Sequence, residues 1–162
     1  MTHRFLEEHL VVVPLDPRRP GCSVVEGKDI TPVKVKALVD AAEACWTAII
    51  AHDLRGFAAA FKASFNAQIA MFPAMVNPVI NGQSCPEASV NPHIQKYSAM
   101  PDVLAWKMFG AGGGGYLALV VEDAKVFVGE HSKAIEVHIR RSGEYYYSFL
   151  FSYFIVYMTK GM

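Results

Sequence analysis

Hydrophobic positions along this chain change period several times, and each change marks an element. Leu10-Val11-Val12-Val13-Pro14-Leu15 is a β-branched run closed by proline, which predicts a short buried strand at 10–13. Thr31-Pro32 then has the form of a helix start, a hydroxyl to cap and a proline in the first turn. Behind it Val35, Leu38, Val39, Ala42, Cys45, Trp46, Ile49 and Ile50 recur at threes and fours, one apolar face of a helix over 33–51. Asp53 caps a second helix over 54–71, whose stripe is Leu54, Phe57, Ala58, Phe61, Phe65, Gln68, Ile69 and Phe72, and Pro73 ends or kinks it. So short a link predicts antiparallel helices sharing one core, with Phe57, Phe61 and Phe65 as packing residues.

The period is then lost from Met75 to Asn91, where Pro78, Asn81-Gly82 and Cys85-Pro86 break it. Asn91-Pro92 opens a short helix to about residue 99, and Pro101 closes it. An extended stretch follows over 103–109, then a glycine-rich run. Tyr116-Leu117-Ala118-Leu119-Val120-Val121 reads as a buried strand. After a charged connector, Ile135-Glu136-Val137-His138-Ile139-Arg140-Arg141 alternates, with Ile135, Val137 and Ile139 expected to face inward. His138 falls on the polar side and is assigned no chemistry. The pattern predicts an α+β fold, a mostly antiparallel sheet with helices packed on one face.

Residues 142–162 break from it. Eight of the nineteen aromatic residues lie here, and no charge separates Glu144 from Lys160, yet the span falls short of the ~20 apolar residues that cross a bilayer. An extra strand, a membrane-surface anchor and an out-of-frame extension are the competing readings. The last is preferred, so this tail is expected to lie outside the fold formed by 5–141.

Charge and cysteine usage narrow the function classes. Fifteen basic and fifteen acidic residues cancel, which leaves no field to hold nucleic acid or anionic membrane. Cys22, Cys45 and Cys85 are odd in number and lack C-x-x-C spacing, so they read as reduced thiols of a cytoplasmic protein. The histidines show no metal-ligand spacing, and no metal is expected. The first residues lack the apolar core of a signal peptide.

Candidate chemistry concentrates in Trp106-Lys107-Met108-Phe109-Gly110-Ala111-Gly112-Gly113-Gly114-Gly115. Such a run suits a sharp turn, a close backbone approach, or a nest of N–H groups around a phosphate. Gly110, Gly112 and Gly115 satisfy G-x-G-x-x-G, but the run leads into a strand and not into a helix near a domain start, which excludes a dinucleotide-binding loop. A Walker loop would need Lys where Tyr116 stands. No H-R-D or D-F-G accompanies it, as a protein kinase requires. A plain hairpin loop is the bland alternative.

Residues 107–115 resemble the third sequence motif of the GHMP small-molecule kinases, which reads Lys, any residue, Ser or Thr, then Gly-Ala-Gly-Gly-Gly-Gly. That family includes galactose, homoserine, mevalonate and phosphomevalonate kinases, with bacterial fucose and heptose-phosphate kinases as relatives. Phe109 departs from it by occupying the hydroxyl position. The resemblance extends over about 5–141 and implies the C-terminal domain of such a kinase, similar to a ferredoxin-like fold. It implies a loop, Gly110, Ala111, Gly112, Gly113, Gly114 and Gly115, lying beside the nucleotide phosphates. Arg18, Arg19 and Lys107 become candidates for the substrate side, although the arginines also suit a solvated loop and Lys107 an ion pair. The family's Pro-x-x-x-Gly-Leu-x-Ser-Ser-Ala nucleotide loop does not occur in these residues. No catalytic residue is therefore assigned. ATP and Mg2+ belong to the intact kinase and are not expected on this chain alone. The implied partners are a sugar or sugar-phosphate substrate and a separate N-terminal half. A non-catalytic α+β module for small-ligand binding or dimerisation, and a non-functional gene fragment, are the alternatives.

Overall fold

The structure, a computed structural model, describes residues 2–139; the aromatic tail lies outside the described residues. The chain runs α1 (Thr2–His9), β1 (Leu10–Pro14), α2 (Pro32–Ala51), α3 (Leu54–Met71), β2 (Val79–Ile80), β3 (Gln83–Ser84), α4 (Asn91–Ser98), β4 (Val103–Met108), β5 (Tyr116–Val121), α5 (Ala124–Glu130) and β6 (Ile135–Glu136). Four strands form one antiparallel sheet in the order β4-β5-β1-β6, and β2 pairs with β3 in a separate ladder. The fold is α+β. In the main sheet the succession β1, helices, β4, β5, α5, β6 is the β-α-β-β-α-β order of a ferredoxin-like unit.

The two long helices begin where the sequence predicts. Thr31 Oγ1 accepts from the Lys34 N–H with Pro32 in the first turn, and the Asp53 carboxylate accepts from the Gly56 N–H at 2.9 Å. Between them His52 takes φ 54°, the left-handed turn that folds α3 back on α2. Replacing Asp53 with Ala leaves the Gly56 donor uncapped and is expected to lower stability by about 1 kcal/mol. A urea melt unchanged from wild type would show that the cap contributes nothing.

Every residue of β5 after Tyr116 is buried, so both faces of the sheet need cover. Ala118, Val120, Leu10 and Ala105 join Phe5, Cys45, Ile49, Phe57 and Phe61 in one core cluster, supplied by α1, α2 and most of α3. The alternate residues Leu117, Leu119, Val11 and Val13 join a second cluster with Phe65, Tyr97 and Phe127, supplied by the end of α3, by α4 and by α5. The expectation of helices on a single face thus holds for the α2–α3 pair but not for α4 and α5. The last strand is also shorter than predicted. It pairs with β1 only through Ile135 and Glu136, at the sheet edge, where Ile135 stays half-exposed while Val137 is buried. No helix among the described residues is long and apolar enough to cross a membrane.

Candidate functional site

The glycine run is the β4–β5 connection, closed at its base by the Phe109 N–H donating to the Tyr116 carbonyl at 3.3 Å. Gly110, Gly112, Gly113, Gly114 and Gly115 all have positive φ, a region most L-residues avoid. Close approach matters as much as conformation. A Cβ on Gly112 would lie 2.5 Å from the Met75 carbonyl oxygen, and one on Gly114 would lie 2.5 Å from that of Asp16. A Cβ on Gly113 would lie 2.5 Å from Val24 Cγ1. The loop is wedged between the turn at Met75 and the segment that follows β1.

Hydrogen bonds fasten it there. Gly113 N–H donates to the Met75 carbonyl at 2.8 Å, and Gly115 N–H donates to the Asp16 carbonyl at 3.2 Å. Leu15 N–H donates to the Gly115 carbonyl at 2.8 Å, while Arg18 Nη2 donates to the Gly112 carbonyl at 2.8 Å. The donors of Gly113 and Gly115 are consumed inside the fold, whereas those of Gly110, Ala111, Gly112 and Gly114 have no partner among the described residues. Any nest for an anion would draw on this second set.

Gly113 and Gly114 line a cleft of about 80 Å³ together with Asp16, Arg19, Glu87 and His93. Arg19 Nη1 lies 3.8 Å from Glu87 Oε1, and His93 Nε2 lies 3.3 Å from Asp16 Oδ2. Each basic group faces an acidic one, so the cleft mixes donors and acceptors and has no strong single sign. Its volume is far below the roughly 300–1,000 Å³ of a ligand pocket. It has the size of one wall of a site. A wider depression of about 720 Å³, bordered by Glu7, Glu122 and Glu136, is remote from the glycines and lined mainly by surface charge.

The candidate side chains divide. Arg18 and Arg19 do lie beside the loop, exposed, with Arg18 pinned to it. Lys107 does not face the cleft. Opposite Ala118 in the β4–β5 pairing, it points under α2 and α3, is 8% exposed, and donates from Nζ to Ser64 Oγ at 2.8 Å. The fully buried Ser64 hydroxyl donates in turn to the Phe61 carbonyl at 2.9 Å. Burial pulls the Lys107 amine down to about 8, with the Cys45 thiol opposing, and burial pushes Cys45 up to about 11, with Lys107 opposing. This corrects the substrate-side assignment of Lys107: strand alternation turns its side chain inward.

Asp16, Glu87 and His93 were not singled out from sequence. They come from three separate segments, and no spacing links them. Asp102, Glu130 and His131 place donor atoms within 4.8 Å of one another at the far end of β4. Three donors without a fourth fall short of a closed structural zinc site. No protein-family model matches the chain, and no curated protein is detectably similar to it.

Proposed function

We propose that the chain is the C-terminal, substrate-side half of an ATP-dependent sugar or sugar-phosphate kinase of the GHMP type, acting in the cytoplasm. One observation carries the reading: a Lys-x-x-Gly-Ala-Gly-Gly-Gly-Gly run that connects the edge strand β4 to the central strand β5 and needs its glycines for close backbone contact. Unpartnered N–H groups of the loop and two arginines beside it support a role next to phosphate oxygens. Phosphoryl transfer also needs a cradled nucleotide and a metal ion. In this reading a GHMP nucleotide-binding half supplies both, and the small cleft becomes one wall of the composite site. ATP and Mg2+ are cofactors of that whole.

The isolated chain, given ATP, Mg2+ and a panel of sugars and sugar phosphates, is expected to release no ADP. Combined with a GHMP nucleotide-binding half, it is expected to support sugar-dependent release. Turnover by the chain alone, or none in the reconstituted pair, would overturn the reading. A second reading, a non-catalytic α+β dimerisation or small-ligand-binding module, is favoured by exposed Val35, Trp46 and Ile50 along α2. Concentration-dependent dimerisation lost on Trp46→Glu would favour it.

A further inference from the structure

We propose that Asp102, Glu130 and His131 bind a divalent transition-metal ion of the zinc type, which ties the start of β4 to the end of α5. The inference does not depend on the kinase reading, because the glycine loop leaves β4 at its other end. Backbone hydrogen bonds fix each of the segments that carry the donors. The Asp102 carbonyl accepts from the Glu122 N–H at 3.1 Å, which joins it to the connection between β5 and α5. Glu130 is the last residue of α5, and His131 follows it as the cap. The His131 N–H donates to the Phe127 carbonyl at 3.0 Å, and the His131 carbonyl accepts from the Ala134 N–H at 2.8 Å. The imidazole also packs against the Phe127 ring, with centroids 4.3 Å apart, and Phe127 is buried in the core. One face of the imidazole is therefore held by a fixed wall.

The donor atoms of all three lie within 4.8 Å of one another, yet no hydrogen bond or ion pair joins them. Nor does any lysine or arginine among the described residues pair with either carboxylate. Two carboxylates this close, with no counter-charge, repel each other, and a cation between them removes that cost. Zinc holds nitrogen and oxygen ligands at about 2.0–2.2 Å, so donors on opposite sides of one ion stand roughly 4 Å apart. Side-chain rotation alone closes the cluster to that spacing. The negative end of the α5 dipole also favours a cation here. Ligand type selects the metal. An imidazole with two carboxylates lacks the thiolates that copper(I) prefers, and magnesium and calcium favour oxygen ligands throughout. Two carboxylate charges balance a divalent ion. Glu130 is exposed and the other two are partly so, which leaves water access to the remaining coordination positions.

The test strips the full chain with a chelator, keeps its thiols reduced and titrates it with zinc chloride by calorimetry. Expected are saturable binding of one ion per chain in the micromolar range and a melting temperature that rises with free zinc. Asp102→Asn, Glu130→Gln and His131→Gln are each expected to weaken binding by at least about tenfold, since losing even a partner behind a ligand costs that much. Glu130 is exposed, so Glu130→Gln leaves the fold intact, and without metal it is expected to melt at or above the wild-type temperature because a repulsion is gone. Zinc is also expected to protect His131 from diethyl pyrocarbonate while the other described histidines still react. Cobalt(II) in place of zinc is expected to show d–d bands without a thiolate charge-transfer band. Absence of saturable binding, affinity unchanged in the three variants, a thiolate band, or protection of a different histidine would overturn the proposal.

Discussion

Gly114→Ala is expected to lower stability by about 3 kcal/mol or more, whereas Gly110→Ala lowers it by only about 1–2 kcal/mol. Both residues have positive φ, at 143° and 65°, so both substitutions strain the backbone. Only Gly114 adds a collision, because its Cβ would fall 2.5 Å from the Asp16 carbonyl oxygen and 2.7 Å from the Arg18 nitrogen. Those are backbone atoms held by the Gly115–Asp16 hydrogen bond, and they cannot rotate away as a side chain would. At Gly110 nothing lies within 4 Å of the added atom. Urea denaturation of the two variants measures the difference. Equal losses would mean that the loop is not wedged against the segment after β1. The same geometry governs tests of binding: a bulky substitution at Gly113 meets Val24 and disturbs folding, so phosphate binding is better probed at Gly110 or Gly115.

The second large effect is pH-dependent. Lys107 titrates near 8 in the fold against 10.5 for a solvated lysine, so above pH 8 the unfolded chain holds a proton that the folded chain has released. Stability therefore rises with pH across that window, by about 3 kcal/mol from this group, and is unaffected by it below pH 8. Cys45 works in the opposite direction. Its thiol is raised to about 11, so its ionisation in the unfolded chain removes stability as pH rises beyond 9. Comparing the chain with its Lys107→Met variant, both carrying Cys45→Ala, isolates the lysine. Lys107→Met is expected to be the more stable at pH 7, where it relieves a buried charge by about 1–3 kcal/mol. That advantage is expected to vanish or reverse by pH 10.5. A difference that stays flat between pH 7 and 10.5 would show that the amine is solvated.

What could be read along the chain was whatever a few neighbouring residues decide among themselves. Thr31-Pro32 and Asp53 start α2 and α3, and Pro73 follows the end of α3, because caps and proline act within one turn. The all-apolar run of β5 announced burial, and the glycines announced a backbone that side chains could not follow. Some local signals went unused. Asp123 accepts from the N–H groups of Lys125 and Val126 and starts α5, and Asn81-Gly82, at φ 52° and 76°, is the two-residue turn between β2 and β3. An apolar stripe at 35–50 did not say which of its residues would be covered. Cys45 and Ile49 are buried under the sheet, while Trp46 and Ile50 remain exposed, because the stripe is wider than the surface that α2 meets.

The tertiary structure alone decided the rest, for one reason: those features depend on segments far apart in the chain. The inward turn of Lys107 depends on strand register and on Ser64 arriving from α3. The cleft depends on Asp16 from the segment after β1, Glu87 from the turn at 86–88 and His93 from α4 converging on Gly113 and Gly114. Sequence determines local conformation, because dihedral preference and capping are local energies, while the sites here form only when distant backbone segments pair and close.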